Sequence, residues 1–561
     1  STTTAQVADS PGADFLHRLR PDVPVGLRDT HRSGETRSDT LPELNGLVDH
    51  SAAEGQKGEG SSAKVGESAP VVIYVETHRV EAIDSMEFAV WDAYLEEKDL
   101  PFPEKDKLAL TSGNKYEGSR ETARGQWDSA PLSDYARISM KYNRFTYFDR
   151  FLVSPGDSLR VRLDFENARM LFSGPDADKF RIQYELAIAF ENYRYDQNPT
   201  MRTAKEEYWG YSAKDSLLIR SAIDVNSGIR RKMEFITPGP EGLAYLERYF
   251  AMDWKKHPGF GIIERYRGVL DADFLDILHA DLQGRLLYDR VHKFSIYYHE
   301  DDWYRQFFEE NIAGKVDGIP PGAAFSSYYP EYLYEKLAIV SALTKKPFSN
   351  LLADLPQPIH DRVFAKYIIK NYRRFEDSNR QFDLALTAIQ TPWIREKISR
   401  LASAQRIGDP LISVSLLDTS GKEYSLAEEE GKILLINFWL PGCQASSGMY
   451  QSLIRPVEEH FENDPEFQFV YVSHDADRQR WLSNIEEGEY SNPGSLNLNA
   501  DGQPAAFLEY YYIHYFPTYM VVDREGKVRN IGNIPSTTAG LITYLESLKE
   551  NSEPSHSNSS L

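Results

Sequence analysis

Along most of the chain the spacing of apolar residues separates strands from helices before any chemistry is considered. "VVIYVETHRV" reads as a strand, and "DSLRVRLDF" sets Leu159, Val161, Leu163 and Phe165 on one side against Arg160, Arg162 and Asp164 on the other. That period of two marks a half-buried strand. Ser154-Pro155-Gly156-Asp157 leads into it; proline presets one turn dihedral and glycine accepts the positive one. Residues 70–175 therefore predict a β-sandwich-like domain with no chemically loaded motif. From 176 to 405 the period lengthens. Phe274, Leu275, Ile277, Leu278, Leu282 and Leu286 recur at helical intervals. Pro330 and Pro358 suit helix starts. This stretch predicts an α-helical region without a fixed-period repeat.

The last part of the chain alternates. "IGDPLISVSLLDTSGKEYSL" predicts a hairpin, and "GKILLINFW" is the continuous apolar run of a strand covered on both faces. After it, Met449, Leu453, Val457 and His460 or Phe461 share a helical face. "FQFVYVSHD" predicts a strand, "RQRWLSNIEE" and "PAAFLEYYY" helices, "FPTYMVVDREGKV" a strand, turn and strand, and "STTAGLITYLESLK" a closing helix. Alternation of this kind implies an α/β domain over 406–550 around a mainly parallel sheet. Residues 1–69 and 551–561 are rich in Ser, Thr, Gly and acidic residues and poor in aromatics. Their apolar surface is too small to offset ordering entropy, which predicts disorder.

Composition narrows the function. With a net charge of −22, the chain lacks the basic footprint a nucleic-acid partner needs, and anionic membrane surfaces are disfavoured likewise. No apolar run approaches the ~18 residues of a membrane helix. The chain begins at Ser1, as expected of a mature product whose targeting signal has been removed, although a trimmed chain would look the same. His292 and His299, followed by Glu300, Asp301 and Asp302, match no metal-ligand spacing, so no metal and no cofactor is expected. The aromatic stripe in "FSSYYPEYLYEKL" is expected to be helix core.

Chemistry concentrates in "NFWLPGCQASSGMY". Cys443, the single cysteine, stands where a strand gives way to a helix, so an internal disulfide is excluded. Unpaired amides and the macrodipole at a helix start favour an anion there, which enlarges the reactive thiolate fraction. Such a thiolate can attack a disulfide. The Pro-x-x-x-Thr-x-x-Cys arrangement of peroxiredoxins is absent, since Pro441 lies only two residues before Cys443.

Three stretches carry a family resemblance: "GK…LLINFW…GC", "VSHDADRQRWLSNI" and "YFPTYMVVDREGKV". Together they resemble the thioredoxin-like fold and, within it, the TlpA/ResA-type proteins of bacterial cell envelopes, over the last quarter of the chain. An N-terminal β domain and a helical middle also look like a plan found among larger envelope members. The resemblance implies a periplasmic or envelope location and a protein thiol or disulfide, or an envelope protein, as partner. It implies catalytic roles for Cys443 and Ser446, and a substrate groove formed by Trp439, Pro441, Gly442, Phe516, Pro517 and Thr518, with Pro517 matching the family's cis-proline.

The sequence also departs from that family. The pattern W-C-x-x-C is here Gly442-Cys443-Gln444-Ala445-Ser446. A serine can hydrogen-bond a thiolate but cannot expel a bound substrate as a disulfide. Asn437 stands where thioredoxins proper carry a buried acid, a position at which TlpA-like members often have asparagine as well. His474, Asp475 and His514 are read as ordinary loop or surface residues. Two functions follow: a monothiol thiol-disulfide oxidoreductase completed by an outside thiol, or a degenerate module whose groove only binds protein, with Cys443 retained for packing. Ser446 is also what a substitution made to trap a mixed disulfide would leave.

Overall fold

The computed structural model describes residues 68–550 except 79–84, 96–102, 114–121, 143–144, 165–168, 203–232, 315, 317 and 501–504. The disorder expected for the two ends falls outside these residues apart from 68 and 69, and Phe165 is outside them as well. The chain divides into two compact units, one ending at Val363 and one beginning at Phe364.

The first unit opens with strands β1 (Val72–His78), β2 (Ser85–Trp91), β3 (Glu104–Ala109), β4 (Thr111–Ser112), β5 (Thr122–Asp128), β6 (Ala136–Tyr142), β7 (Phe145–Val153), β8 (Ser158–Asp164) and β9 (Arg169–Ser173). They form two sheets, ordered β4-β5-β1-β8-β9 and β3-β2-β6-β7. Alternation along β8 buries Leu159, Val161 and Leu163, and these join Ile73 and Val75 of β1 in one core with Met86, Phe88, Ile138 and Met140 of the other sheet. Phe88 stacks on Trp127 at 4.3 Å within it. The Ser154–Asp157 turn forms as its residues require: Gly156 takes φ 81°, and Asp157 accepts the Ser154 N–H at 2.8 Å.

Helices α1 (Ala177–Tyr195), α2 (Pro240–Ala251), α3 (Pro258–Arg265), α4 (Ala272–Tyr297), α5 (Asp302–Asn311), α6 (Tyr329–Thr344), α7 (Phe348–Leu351) and α8 (Gln357–Asn371) follow. A short parallel pair, β10 (Thr200–Arg202) with β11 (Glu234–Ile236), lies between α1 and α2. All six apolar residues singled out on α4 are buried, and Tyr329, Tyr332, Leu333, Tyr334 and Leu337 of α6 form core rather than an open groove. A Cβ on Gly284 would stand 2.4 Å from the Tyr329 backbone nitrogen, so α4 and α6 meet backbone to backbone.

The second unit begins within α8, at Phe364, and carries α9 (Ser378–Ala388) and α10 (Pro392–Gln405), then β12 (Ser415–Asp418), β13 (Glu423–Ser425), β14 (Ile433–Trp439), α11 (Gln444–Met449), a π-helical turn (Tyr450–Ile454), α12 (Arg455–His460), β15 (Phe467–Ser473), α13 (Arg478–Glu487), β16 (Leu496–Asn499), α14 (Ala505–Tyr510), β17 (Thr518–Val522), β18 (Val528–Ile531) and α15 (Thr538–Glu550). The sheet runs β13-β12-β16-β15-β14-β17-β18. Only the β14–β15 and β15–β16 pairs are parallel; β12–β13, β12–β16, β14–β17 and β17–β18 are antiparallel. The expectation of a mainly parallel sheet is thus corrected to a mixed one, because the β12–β13 and β17–β18 hairpins return antiparallel and each also joins the central strands antiparallel, through β16 and β14. Every residue of β14 is buried. Ile433, Leu435 and Trp439 face a core completed by Leu453, Val457, Phe461, Trp481 and Leu541, while Leu434, Ile436 and Phe438 face a second with Phe507. Phe461, not the exposed His460, closes the helical stripe after Cys443. Among the described residues no helix is long and apolar enough to cross a membrane.

Candidate active site around Cys443

At the end of β14 the chain turns through Leu440, Pro441 and Gly442, and the Cys443 N–H closes the turn on the Leu440 carbonyl at 3.1 Å. Gly442 takes φ 81°, a region open to glycine and costly for the tryptophan that precedes the cysteine in W-C-x-x-C proteins. Cys443 occupies the cap position of α11, and its carbonyl accepts the Ser447 N–H at 3.2 Å. Its side chain makes no bond to the helix amides; the half-buried Sγ instead donates to the Phe516 carbonyl at 3.5 Å.

Phe516 belongs to the loop that enters β17, and the Phe516–Pro517 bond is cis. The loop is pinned by Thr518, whose hydroxyl donates to the Tyr515 carbonyl at 2.6 Å and which pairs with Phe438 across the sheet. Phe516 and Pro517 are half-buried beside the sulfur, and Tyr515 is 51% exposed at the rim. His474 stacks on Phe516 at 6.3 Å and donates its backbone N–H to the Trp439 carbonyl at 3.4 Å, which brings this exposed residue to the edge of the site. Asp475 is no surface residue. Its buried carboxylate accepts from Arg480 at 2.6 and 2.7 Å and from the Asp477 N–H at 3.0 Å, and Arg480 holds its carboxyl below the usual range. His514 is exposed, edge-on to Tyr512 at 6.4 Å.

The turn through Pro441 and Gly442 thus brings the Cys443 sulfur against the loop that carries the cis Phe516–Pro517 bond. Trp439 and Thr518, read as groove residues, are corrected: both are buried, at the end of β14 and the start of β17. Ser446 is also buried, and its hydroxyl has no hydrogen-bond partner, so it makes no bond to the sulfur. Asn437 lies between Tyr471 and Tyr519 in the sheet register, with both polar atoms of its side chain unpartnered. Burial, with the Cys443 sulfur nearby, pushes the Tyr519 phenol up.

The sequence reading missed Tyr490. Its hydroxyl accepts the Gly442 N–H at 3.0 Å, and its ring lies flat on Trp439 at 5.0 Å. The segment "EGEYSNPG" has no periodicity that would single it out.

Elsewhere, His292 faces Glu335 at 3.4 Å and His299 faces Asp301 at 2.9 Å. No group of three or more His, Cys, Asp or Glu side chains converges as a metal site among the described residues.

Residues 431–528 match a family described as thioredoxin-like. No curated protein matches the chain. Among solved structures, the chain is similar to the thioredoxin domain of a thiol-disulfide oxidoreductase from Bacteroides vulgatus, at 25% identity over 25% of this chain and 96% of that one, with TM-score 0.22. A thiol:disulfide interchange protein from Bacteroides sp. matches at 24% identity over 28% and 97%, with TM-score 0.23. A thiol-disulfide oxidoreductase from Bacteroides fragilis matches at 20% over 24% and 99%, with TM-score 0.21. The C-terminal α/β domain of this chain is thioredoxin-like.

Proposed function

We propose that this chain is a TlpA-type thioredoxin-like protein of a bacterial cell envelope that exchanges disulfides through Cys443 as a monothiol. One observation carries the reading: a half-buried sulfur 3.5 Å from the Phe516 carbonyl, at the mouth between the β14 turn and the loop entering β17. The deprotonated sulfur attacks one sulfur of a substrate R–S–S–R′. A Cys443–S–S–R bond forms, and R′–S⁻ leaves with the bonding pair. Because Cys443 is the sole cysteine, an external thiolate R″–S⁻ must attack the mixed disulfide, which releases Cys443 and yields R–S–S–R″. The envelope location rests on the TlpA-type sequence motifs. Fractionation of the native host should find the protein outside the cytoplasm.

The test is a peptide disulfide added to the native protein, followed by intact-mass analysis. The expected product is one adduct on Cys443 that added free thiol removes. If Cys443 resists modification until the protein is unfolded, the exchange reading fails. The buried, unbonded Ser446 hydroxyl favours the second reading, a groove that binds protein without chemistry. In that case Cys443→Ala would leave partner capture unchanged.

A further inference from the structure

Gly442 is exposed, has no side chain, and a Cβ built on it would meet nothing within 4 Å. Packing therefore does not hold the residue that aims Cys443. What the structure supplies is the 3.0 Å bond from its N–H to the Tyr490 phenol oxygen. That phenol is itself rigidly held: Tyr490 is 4% exposed, and its ring is stacked within 8° of coplanar on the fully buried Trp439 that ends β14. Burial, with the negative charge of Glu489 nearby, pushes the phenol's pKa up. The same segment is tied to the far side of Cys443. Gln451, in the π-helical turn, donates its side-chain amide to the carbonyls of Gly488 and Glu489 at 3.0 and 3.2 Å.

We infer that Tyr490 is a positioning residue for Cys443: the Gly488–Tyr490 segment braces the chain on both sides of the nucleophile and sets the direction in which its sulfur points. The inference rests on the exchange reading. Disulfide exchange needs the attacking sulfur in line with the S–S bond of a substrate docked on the protein, so it depends steeply on aim. A small alkylating agent can approach from any open side and depends on aim far less.

The test compares the parent with Tyr490→Phe, which keeps the ring and removes the acceptor. Two rates on Cys443 are measured, with iodoacetamide and with a peptide disulfide. Tyr490→Phe is expected to slow exchange about tenfold and to change alkylation by no more than about twofold. Equal rates for parent and variant overturn the assignment. Loss of both rates by the same factor also overturns it, since that reports general loosening rather than aim. Should Tyr490→Phe fail to fold, the exposed Gln451→Ala decides: a roughly threefold loss confined to exchange is expected, and unchanged exchange overturns the inference. A parent inert to the disulfide sinks the exchange reading itself. An active parent with an unaffected variant sinks only the role of Tyr490.

Discussion

At the scale of single residues, the site turns on one hydroxyl. Ser446 lies one helical turn after Cys443, buried, with no partner for its oxygen. A buried unpaired hydroxyl costs on the order of 1 kcal/mol, and a thiol is a small hydrophobe that does not carry that cost. Reduced Ser446→Cys should therefore unfold at higher denaturant, by about 1 kcal/mol, and should catalyse insulin-disulfide reduction faster than the parent, which needs an outside thiol to free Cys443 in every cycle. A variant that folds but neither closes a 443–446 disulfide nor turns over would mean the groove does not present substrate to the sulfur. Cys443 was legible in the sequence because a lone cysteine after an apolar strand is a local signal, whereas Gly442 and Pro517 were singled out through the family resemblance of their stretches. Tyr490 was not, because its role is defined by Trp439 and Gly442, about fifty residues earlier. Trp439 was read as a groove residue for a related reason: the core that buries it, Tyr490 included, comes largely from elements distant along the chain.

At the scale of elements, patterns with a strict period were readable and short or mixed ones were not. The α4 stripe follows directly from spacing, but its contact with α6 depends on a missing side chain. Alanine at 284 would gain about 1 kcal/mol of helix propensity. It would also place a Cβ 2.4 to 2.7 Å from backbone atoms of Tyr328 and Tyr329. Backbone cannot swing aside as a side chain can, so overpacking wins. Gly284→Ala should lose about 2 kcal/mol net in urea unfolding, and a neutral result would show that the helices can separate. Strand β16 escaped the sequence reading because it has four residues and two are asparagine. Those asparagines are strand residues only in context: Asn499 donates to the Asp475 carbonyl at 3.1 Å, and Asn497 to the carbonyls of Asn492 and Ser495.

At the scale of the molecule, acid should weaken the first unit through His257. This residue is 2% exposed, and its Nδ1 accepts the Gly259 N–H at 3.0 Å at the start of α3. Tyr193 and Phe190 face its ring at 4.7 and 5.8 Å. Burial, and then the charge of Arg285, lowers its pKa from 6.5 to about 4. Between those values the unfolded chain takes up a proton that the folded one refuses. Stability is therefore lost as pH falls from about 6.5 to about 4, by at most ~3 kcal/mol. Asp157 acts with opposite sign, since burial raises its carboxyl to about 6 in spite of Lys179. The readout is consequently the difference between parent and His257→Asn, which keeps a capping acceptor without titrating. Calorimetry from pH 7 to pH 4.5 should show a shallower decline for the variant. Parallel declines would remove His257 as the cause.

The amino-acid order by itself determined the succession of β, helical and α/β regions and the strand-to-helix setting of Cys443, because those depend on interactions between residues a few positions apart. Only the tertiary structure decided which strands run antiparallel, which aromatic rings are sealed inside, and what holds Gly442. Each of these joins residues distant along the chain, and a hydrogen bond or a stacked ring leaves no period in the sequence to mark its far partner.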